Sequence, residues 1–221
     1  MSAPRVLITG GGGFLGRAIA VRCLQRGWRV RATGRSAQPD LAASGIEFLP
    51  GDIADPDHLR AAARGCEAVF HVAAKAGVWG PSAEYERANI AGTQSVIDAC
   101  RAEGVAHLVH TSTPSVVFNR GPFRGADESL PLGRDWLCHY ARTKAEAERR
   151  VLAAAREGLS ACALRPHLIW GPGDPHIFPR ILARARAGRL AIIGDGQNQV
   201  DVTHVDTAAD AHLAALEARR P

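Results

Sequence analysis

The 221-residue sequence predicts a doubly wound α/β domain, a parallel sheet covered by helices on both faces. Three observations lead there. Short apolar runs alternate with longer helical stretches, the runs are continuously apolar, and a glycine-rich turn joins the first run to the first helix. Strands alternating with helices make βαβ units, and strands apolar on both sides belong to a parallel sheet buried on both faces. Right-handed crossovers then leave a ligand crevice beyond the carboxyl ends of the strands, where the winding reverses.

The first strand is expected at Arg5–Thr9, around Val6-Leu7-Ile8, and the first helix at Phe14–Arg26, opened by the glycines. Further strands are expected at Arg29–Thr33, Ile46–Leu49, Ala68–Val72, Leu108–Thr111 and Ala161–Arg165. The remaining helices are expected near Pro56–Arg64, Glu84–Glu103 and Tyr140–Glu157. Asp55 caps the helix that starts at Pro56. After Arg165 the pattern turns irregular and rich in Gly and Pro (Trp170 to Pro175). Residues 1–165 therefore read as the core domain, and 166–221 as a mixed segment giving part of a substrate lobe and a last helix.

Hydrophobic residues make up 46% and charged residues 22% of the chain, so a packed core can form and disorder is excluded. No apolar run approaches the roughly 20 residues of a membrane span. The start, Met1 to Arg5, lacks the order of a signal peptide, and a cytoplasmic location is expected. Five cysteines lie far apart without a Cys-x-x-Cys pair and read as buried free thiols. The nine histidines show no ligand spacing, so no metal is expected. The net charge of +5 comes from scattered arginines with no basic run among aromatics, which argues against nucleic acid.

Thr9-Gly10-Gly11-Gly12-Gly13-Phe14-Leu15-Gly16 follows a strand and opens a helix. Gly10 suits a tight turn, Gly13 lets backbone approach a pyrophosphate, and Gly16 allows close packing of helix on sheet. The helix N-terminus adds free N–H groups and partial positive charge. Some twenty residues on, a carboxylate would select NAD through the adenosine ribose, but the chain reads Thr33-Gly34-Arg35-Ser36. Arg35 can meet a 2′-phosphate and Ser36 can add a hydroxyl, so NADP(H) is favoured over NAD(H).

Tyr140 and Lys144 stand at i and i+4 on one helix face, in a chain with only two tyrosines and two lysines. A tyrosine of pKa near 10 exchanges protons poorly at neutral pH, and an adjacent ammonium, together with the positive nicotinamide of an oxidised cofactor, is expected to bring it down. Thr113 and its neighbour Ser112 carry hydroxyls at the end of the fifth strand.

The Thr-Gly-x-x-Gly-x-x-Gly form together with Tyr140 and Lys144 resembles the extended short-chain dehydrogenase/reductase superfamily. That resemblance implies a Rossmann sheet binding NAD or NADP. Gly10, Gly13, Phe14, Leu15, Gly16, Arg35, Asp52, Ile53, Ala73, Ala74, Tyr140, Lys144 and Pro166 would contact the cofactor. Asp52 would accept from the adenine amino group, and Lys144 would bind the nicotinamide ribose. Thr113, Tyr140 and Lys144 would be catalytic, the hydroxyl of Thr113 or of Ser112 serving a substrate oxygen, with Asn89 near the active site and His71 structural. Arg165-Pro166…Gly171-Pro172-Gly173-Asp174, Val205-Asp206 and Phe70 to Gly80 resemble the 3β-hydroxysteroid dehydrogenase-like branch, which includes sterol dehydrogenases and 2-alkyl-3-oxoalkanoate reductases.

The implied reaction interconverts a secondary alcohol and a ketone on a hydrophobic small molecule. The alternatives are a sugar-nucleotide epimerase or dehydratase, and a non-catalytic NADP-binding regulator. His167 and His204 lie in loops near the expected cleft. The family continues beyond the position of Pro221, so an incomplete C-terminal substrate lobe is expected. A homodimer through the two long helices would show as exposed apolar surface on them.

Overall fold

In the computed structural model, which describes residues 3–119, 121, 123, 125–175, 177–192 and 194–219, six strands form one parallel sheet. They are β1 (Arg5–Thr9), β2 (Arg29–Gly34), β3 (Glu47–Pro50), β4 (Ala68–His71), β5 (His107–Thr111) and β6 (Ser160–Leu164). Their order is β3-β2-β1-β4-β5-β6, so the winding reverses between β1 and β4. Met1, Ser2 and Pro221, on which the expectations about the chain ends rest, lie outside the described residues.

The helices are α1 (Phe14–Gln25), α2 (Pro39–Ala43), α3 (Pro56–Ala63), α4 (Ser82–Tyr85), α5 (Gly92–Ala102), α6 (His139–Arg156), α7 (Phe178–Arg186) and α8 (Val205–Glu217). Asp55 caps α3 by accepting from the Asp57 and His58 N–H groups at 3.0 and 3.2 Å. The single helix expected over Glu84–Glu103 is instead α4 and α5 joined by a π turn, Glu86–Ala91. There the Thr93 hydroxyl donates to the Asn89 carbonyl at 2.6 Å and Ser95 donates to Ala91 at 3.1 Å. A Cβ on Gly92, at the end of that turn, would meet Ile53 at 2.7 Å.

Alternation along each strand feeds two cores. Val6 and Ile8 of β1, with Val30, Phe70 and Val109, pack under α1 and α8, including Ile19, Leu213 and Leu216. Leu7, Val69 and Leu108 face the other way, onto Leu59 of α3, Val96 and Ile97 of α5, and Val151 of α6. α8 thus comes back from the irregular segment to complete the first face. Two short strands, β7 (Ile169–Trp170) and β8 (Thr203–His204), pair in parallel just before it.

α2 and α7 escape a reading of apolar periodicity because they bury one residue and none respectively. α7 presents Phe178, Ile181 and Leu182 to solvent. By contrast, α5 and α6 expose no large apolar side chain among the described residues. Their outer faces carry ion pairs such as Arg101–Glu157 and Arg150–Glu146.

Among the described residues no helix is long and apolar enough to cross a membrane, and no group of His, Cys, Asp or Glu is arranged to hold a metal. All five cysteines are free, and burial pushes the Cys23 and Cys100 thiols up to about 12, which makes them unreactive.

Candidate active site

β1 ends at Thr9 and the chain turns through Gly10 at φ +70°. A Cβ there would stand 2.9 Å from the Ala73 backbone, so this loop and the exit of β4 touch backbone to backbone. Gly16 is equally confined, because a Cβ would strike the Gly10 carbonyl oxygen. Gly13 differs. It is the exposed N-cap of α1, and a Cβ there would meet only that oxygen, at 3.2 Å. No side chain caps α1 and its first turn holds no acidic residue, so the helix terminus offers N–H groups and positive potential to an anion. Packing explains two of the glycines; open space at an anion-ready terminus explains the third.

Arg35 and Ser36 are exposed just beyond β2. Behind them Arg17 of α1 donates to the Gly12 carbonyl at 3.0 Å and to Gln38 at 2.5 Å, and pairs with Asp40. This clamp fixes the Arg35 segment against the glycine loop and commits Asp40 to Arg17, which holds its carboxyl below the usual range. Asp52 is already engaged, with acceptor capacity left on both oxygens. Oδ1 takes the Ala54 N–H at 2.9 Å and Oδ2 takes Arg87 at 2.7 Å. These bonds, with the charges of Arg87 and Arg35, hold the Asp52 carboxyl low. Ile53 is buried beneath Gly92, while Ala74 is exposed beside Ala73.

Lys144 is 2% exposed. Its Nζ donates to the Thr111 carbonyl at 2.6 Å and meets His110 Nε2 at 3.2 Å, at the carboxyl end of β5. Burial brings its pKa down to about 7, opposed by the charge of Glu148 one turn on. Glu148 is itself buried and held bidentately by Arg165, just past β6.

Tyr140 sits in the first turn of α6. Burial raises its pKa, and a hydrogen bond with Thr113 opposes the rise. Lys144 is bonded to Thr111 and His110, and desolvation of the phenol dominates here; the expected lowering is by the ammonium together with an oxidised nicotinamide. Thr113 caps the 3₁₀ turn Pro114–Val117 and meets the Ser115 hydroxyl at 3.1 Å. The neighbouring Ser112 turns inward: its N–H donates to Leu164 at 2.6 Å, and its Oγ is buried without a partner. Of the two hydroxyls, Thr113 faces the phenol.

His71 is structural in its bonding. The Thr93 hydroxyl donates to Asn89, so it accepts from His71 Nε2–H at 2.9 Å; Nδ1 then accepts from Thr9 at 2.7 Å. Burial pushes its pKa down to about 3, so the ring is neutral. Asn89, on the π turn, binds the Lys75 backbone N–H and carbonyl at 2.7 and 3.1 Å and the Thr143 hydroxyl at 2.9 Å. It ties the loop after β4 to α6 beside Lys144.

Tyr85 of α4, fully buried, shares its hydroxyl hydrogen between the Gly77 and Trp79 carbonyls of that loop at 3.0 Å each. Trp79 and Val78 are left 91% and 60% exposed, and Leu137, three residues before Tyr140, is exposed as well. His139 is exposed, His167 is half-buried with Pro166, and His204 accepts the Asp206 N–H at 3.2 Å as the cap of α8. Sequence reasoning missed Arg17, Arg87 and above all His110, which has the character of an ordinary strand residue until the fold is known.

Sheet order and glycine cradle place this chain among the doubly wound nucleotide-binding proteins with a Tyr–Lys pair. It belongs to the 3-beta hydroxysteroid dehydrogenase/isomerase family, whose profile matches residues 7–220. It is 51% identical to the 2-alkyl-3-oxoalkanoate reductase of Stenotrophomonas maltophilia (strain K279a), over 98% of this chain and 66% of that protein. It is 34% identical to the mouse sterol-4-alpha-carboxylate 3-dehydrogenase, decarboxylating, over 97% of this chain and 60% of that one. The chain thus spans less than two thirds of either relative. Among solved structures, the UDP-glucose 4-epimerase of Thermus thermophilus in complex with NAD superposes with a TM-score of 0.82 at 29% identity, covering 96% of this chain and 74% of that one.

Proposed function

We propose that the chain is the cofactor-binding and catalytic part of an NADP(H)-dependent oxidoreductase that interconverts a secondary alcohol and a ketone on a hydrophobic small molecule. The observation that carries this reading is the open Gly13 cradle on the same strand-end crevice as Lys144, Tyr140 and Thr113. Residues Gly10 to Gly16 would hold the pyrophosphate, Arg35 the 2′-phosphate, Asp52 and Ile53 the adenine. Ala73, Ala74 and Pro166 would line the path to the nicotinamide. When bound, the dinucleotide supplies the hydride donor or acceptor.

The chain's own residues handle the oxygen and its proton. Thr113 donates a hydrogen bond to the substrate oxygen, which holds the carbonyl or carbinol in place. Tyr140, protonated in the free protein, gives up its phenolic proton to that oxygen in reduction. Lys144 orients the nicotinamide ribose with its remaining N–H, and its positive charge stabilises the phenolate through space. The exposed Val78, Trp79 and Leu137 favour an apolar substrate. The reductase and dehydrogenase relatives act on 3-oxo or 3-hydroxy groups by name, which supports the same chemistry.

Titration with NADPH and with NADH, followed by nicotinamide fluorescence, tests the reading. Tighter NADPH binding that Arg35→Ser narrows is expected. Preference for NADH would overturn the cofactor assignment and revive the epimerase alternative, which the NAD-bound epimerase neighbour keeps in view. A homodimer through α5 and α6 would have to form across ion-paired rather than apolar faces.

A further inference from the structure

His110 is wholly buried on β5 between two other histidines, and the reaction outlined above makes no use of it. Its ring lies 5.0 Å from that of His71, on β4. His71 is fully bonded to Thr9 and Thr93, so it has nothing left to offer His110. His212, on α8, donates Nδ1–H to the Ala208 carbonyl at 2.6 Å and accepts the Thr111 hydroxyl on Nε2 at 2.8 Å. It too is satisfied. The partner left to His110 among the described residues is Lys144, 3.2 Å from Nε2, while Nδ1 is buried without a partner.

An ammonium has three N–H groups and no lone pair, so a contact between protonated Lys144 and Nε2 requires that Nε2 accept and Nδ1 carry the proton. A buried Nδ1–H without an acceptor costs free energy, and the ring keeps this tautomer because the alternative points an N–H at an ammonium.

We propose that His110 is a positioning residue for Lys144: with the Thr111 carbonyl it takes two of the three ammonium N–H groups, fixing Nζ under the crevice and leaving one N–H for ligand. The significance for turnover rests on the proposed role of Lys144; the contact itself does not. Among the described residues, the charged and titratable groups around Lys144 are Glu148 on α6, neutralised by Arg165 past β6, Tyr140 on α6, and the neutral imidazoles of His71, His110 and His212. A neutral acceptor favours the charged lysine without adding a second charge.

The chain has only two lysines, Lys75 and Lys144. Lysine labelled with carbon-13 at Cε therefore gives two NMR signals, assigned with a Lys75→Arg variant, and the cofactor-free chain can be titrated directly. Lys144 is expected to titrate near neutrality. His110→Phe should lower its midpoint by about 1–2 pH units, the worth of one hydrogen bond to a charged group, and His110→Gln, which retains an acceptor, should restore most of it. An unmoved midpoint in a folded His110→Phe chain overturns the inference. Should that variant not fold, nitrogen-15 shifts of the wild-type ring decide: a protonated Nε2 below the Lys144 midpoint overturns it, a protonated Nδ1 upholds it. Failure of NADPH binding would sink the proposed function and leave this result standing.

Discussion

Replacing Glu148 with Gln removes one charge from the buried floor of α6 with almost no change in volume. In the folded chain both carboxylate oxygens accept from Arg165 Nε at 3.1 Å, and Oε1 also accepts from Nη2 at 2.5 Å. The Glu148 side chain is 1% exposed and that of Arg165 22%, so solvent screens the pair little. A glutamine would turn an N–H toward the guanidinium and leave a charge unpaired at the end of β6. Breaking one partner of such a pair costs about 3–5 kcal/mol, and at about 2–4 °C per kcal/mol for a chain of this size the melting temperature should fall by about 6–20 °C. Differential scanning fluorimetry of the cofactor-free chain measures it. The double variant Glu148→Met/Arg165→Met should recover most of the loss, because well-packed apolar side chains replace a buried pair at little cost. A fall of less than about 3 °C for the single variant, or a double variant no better than it, would show that water already relaxes the pair and refute the reasoning.

Two further outcomes are expected. Gly13→Ala should leave stability nearly unchanged yet abolish dinucleotide binding, whereas Gly16→Ala should lose both, since its methyl strikes the Gly10 carbonyl; equal NADPH affinity in Gly13→Ala would remove the loop from the binding site. Acid should destabilise the chain well above the carboxylate range. His71, held down to about 3, and His110, held well below 6.5, stay neutral in the fold while the unfolded chain takes up protons below 6.5. Their contribution to stability is therefore fully present above that value and lost as pH falls, by about 1 kcal/mol for His71 one pH unit below it, with His110 adding in the same direction. Lys144, held to about 7 against 10.5 unfolded, acts in the same sense between those two values. Urea midpoints at pH 7.5 and 5.5 check this, and a flat profile counts against neutral buried rings.

What was legible in the sequence was what the chain writes locally. The glycine loop is one contiguous turn, and Tyr140 and Lys144 are one helical turn apart, so spacing alone aligns them. The inner strands β1, β4 and β5 were legible because both faces of each are buried; β3, at the sheet edge, buries no residue fully. The Thr113–Ser112 ambiguity was not soluble from sequence, because the pleat at the end of β5 decides which hydroxyl turns inward, and the buried Ser112 Oγ shows the outcome. The engagement of Asp52 was not legible because Arg87, its partner, is 35 residues away in the chain. The His71–His110–Lys144–His212 cluster comes from β4, β5, α6 and α8, and no local pattern announces it.

That cluster explains why the site tolerates so costly a group. An ammonium at the floor of a crevice is disfavoured by desolvation, and an adjacent carboxylate would restore it only by binding it in place. Glu148 stands one turn away with its charge already answered by Arg165, so it steadies Lys144 without capturing it. The acceptors that touch the ammonium, a carbonyl and an imidazole, are both neutral. Such a lysine is held firmly enough to have one orientation and weakly enough to give its remaining N–H to an incoming ligand. Its pKa near 7 follows from the same compromise: the fold keeps the charge only marginally, so a ligand that supplies a further hydrogen-bond acceptor, or a phenolate at Tyr140, shifts the balance toward the charged form.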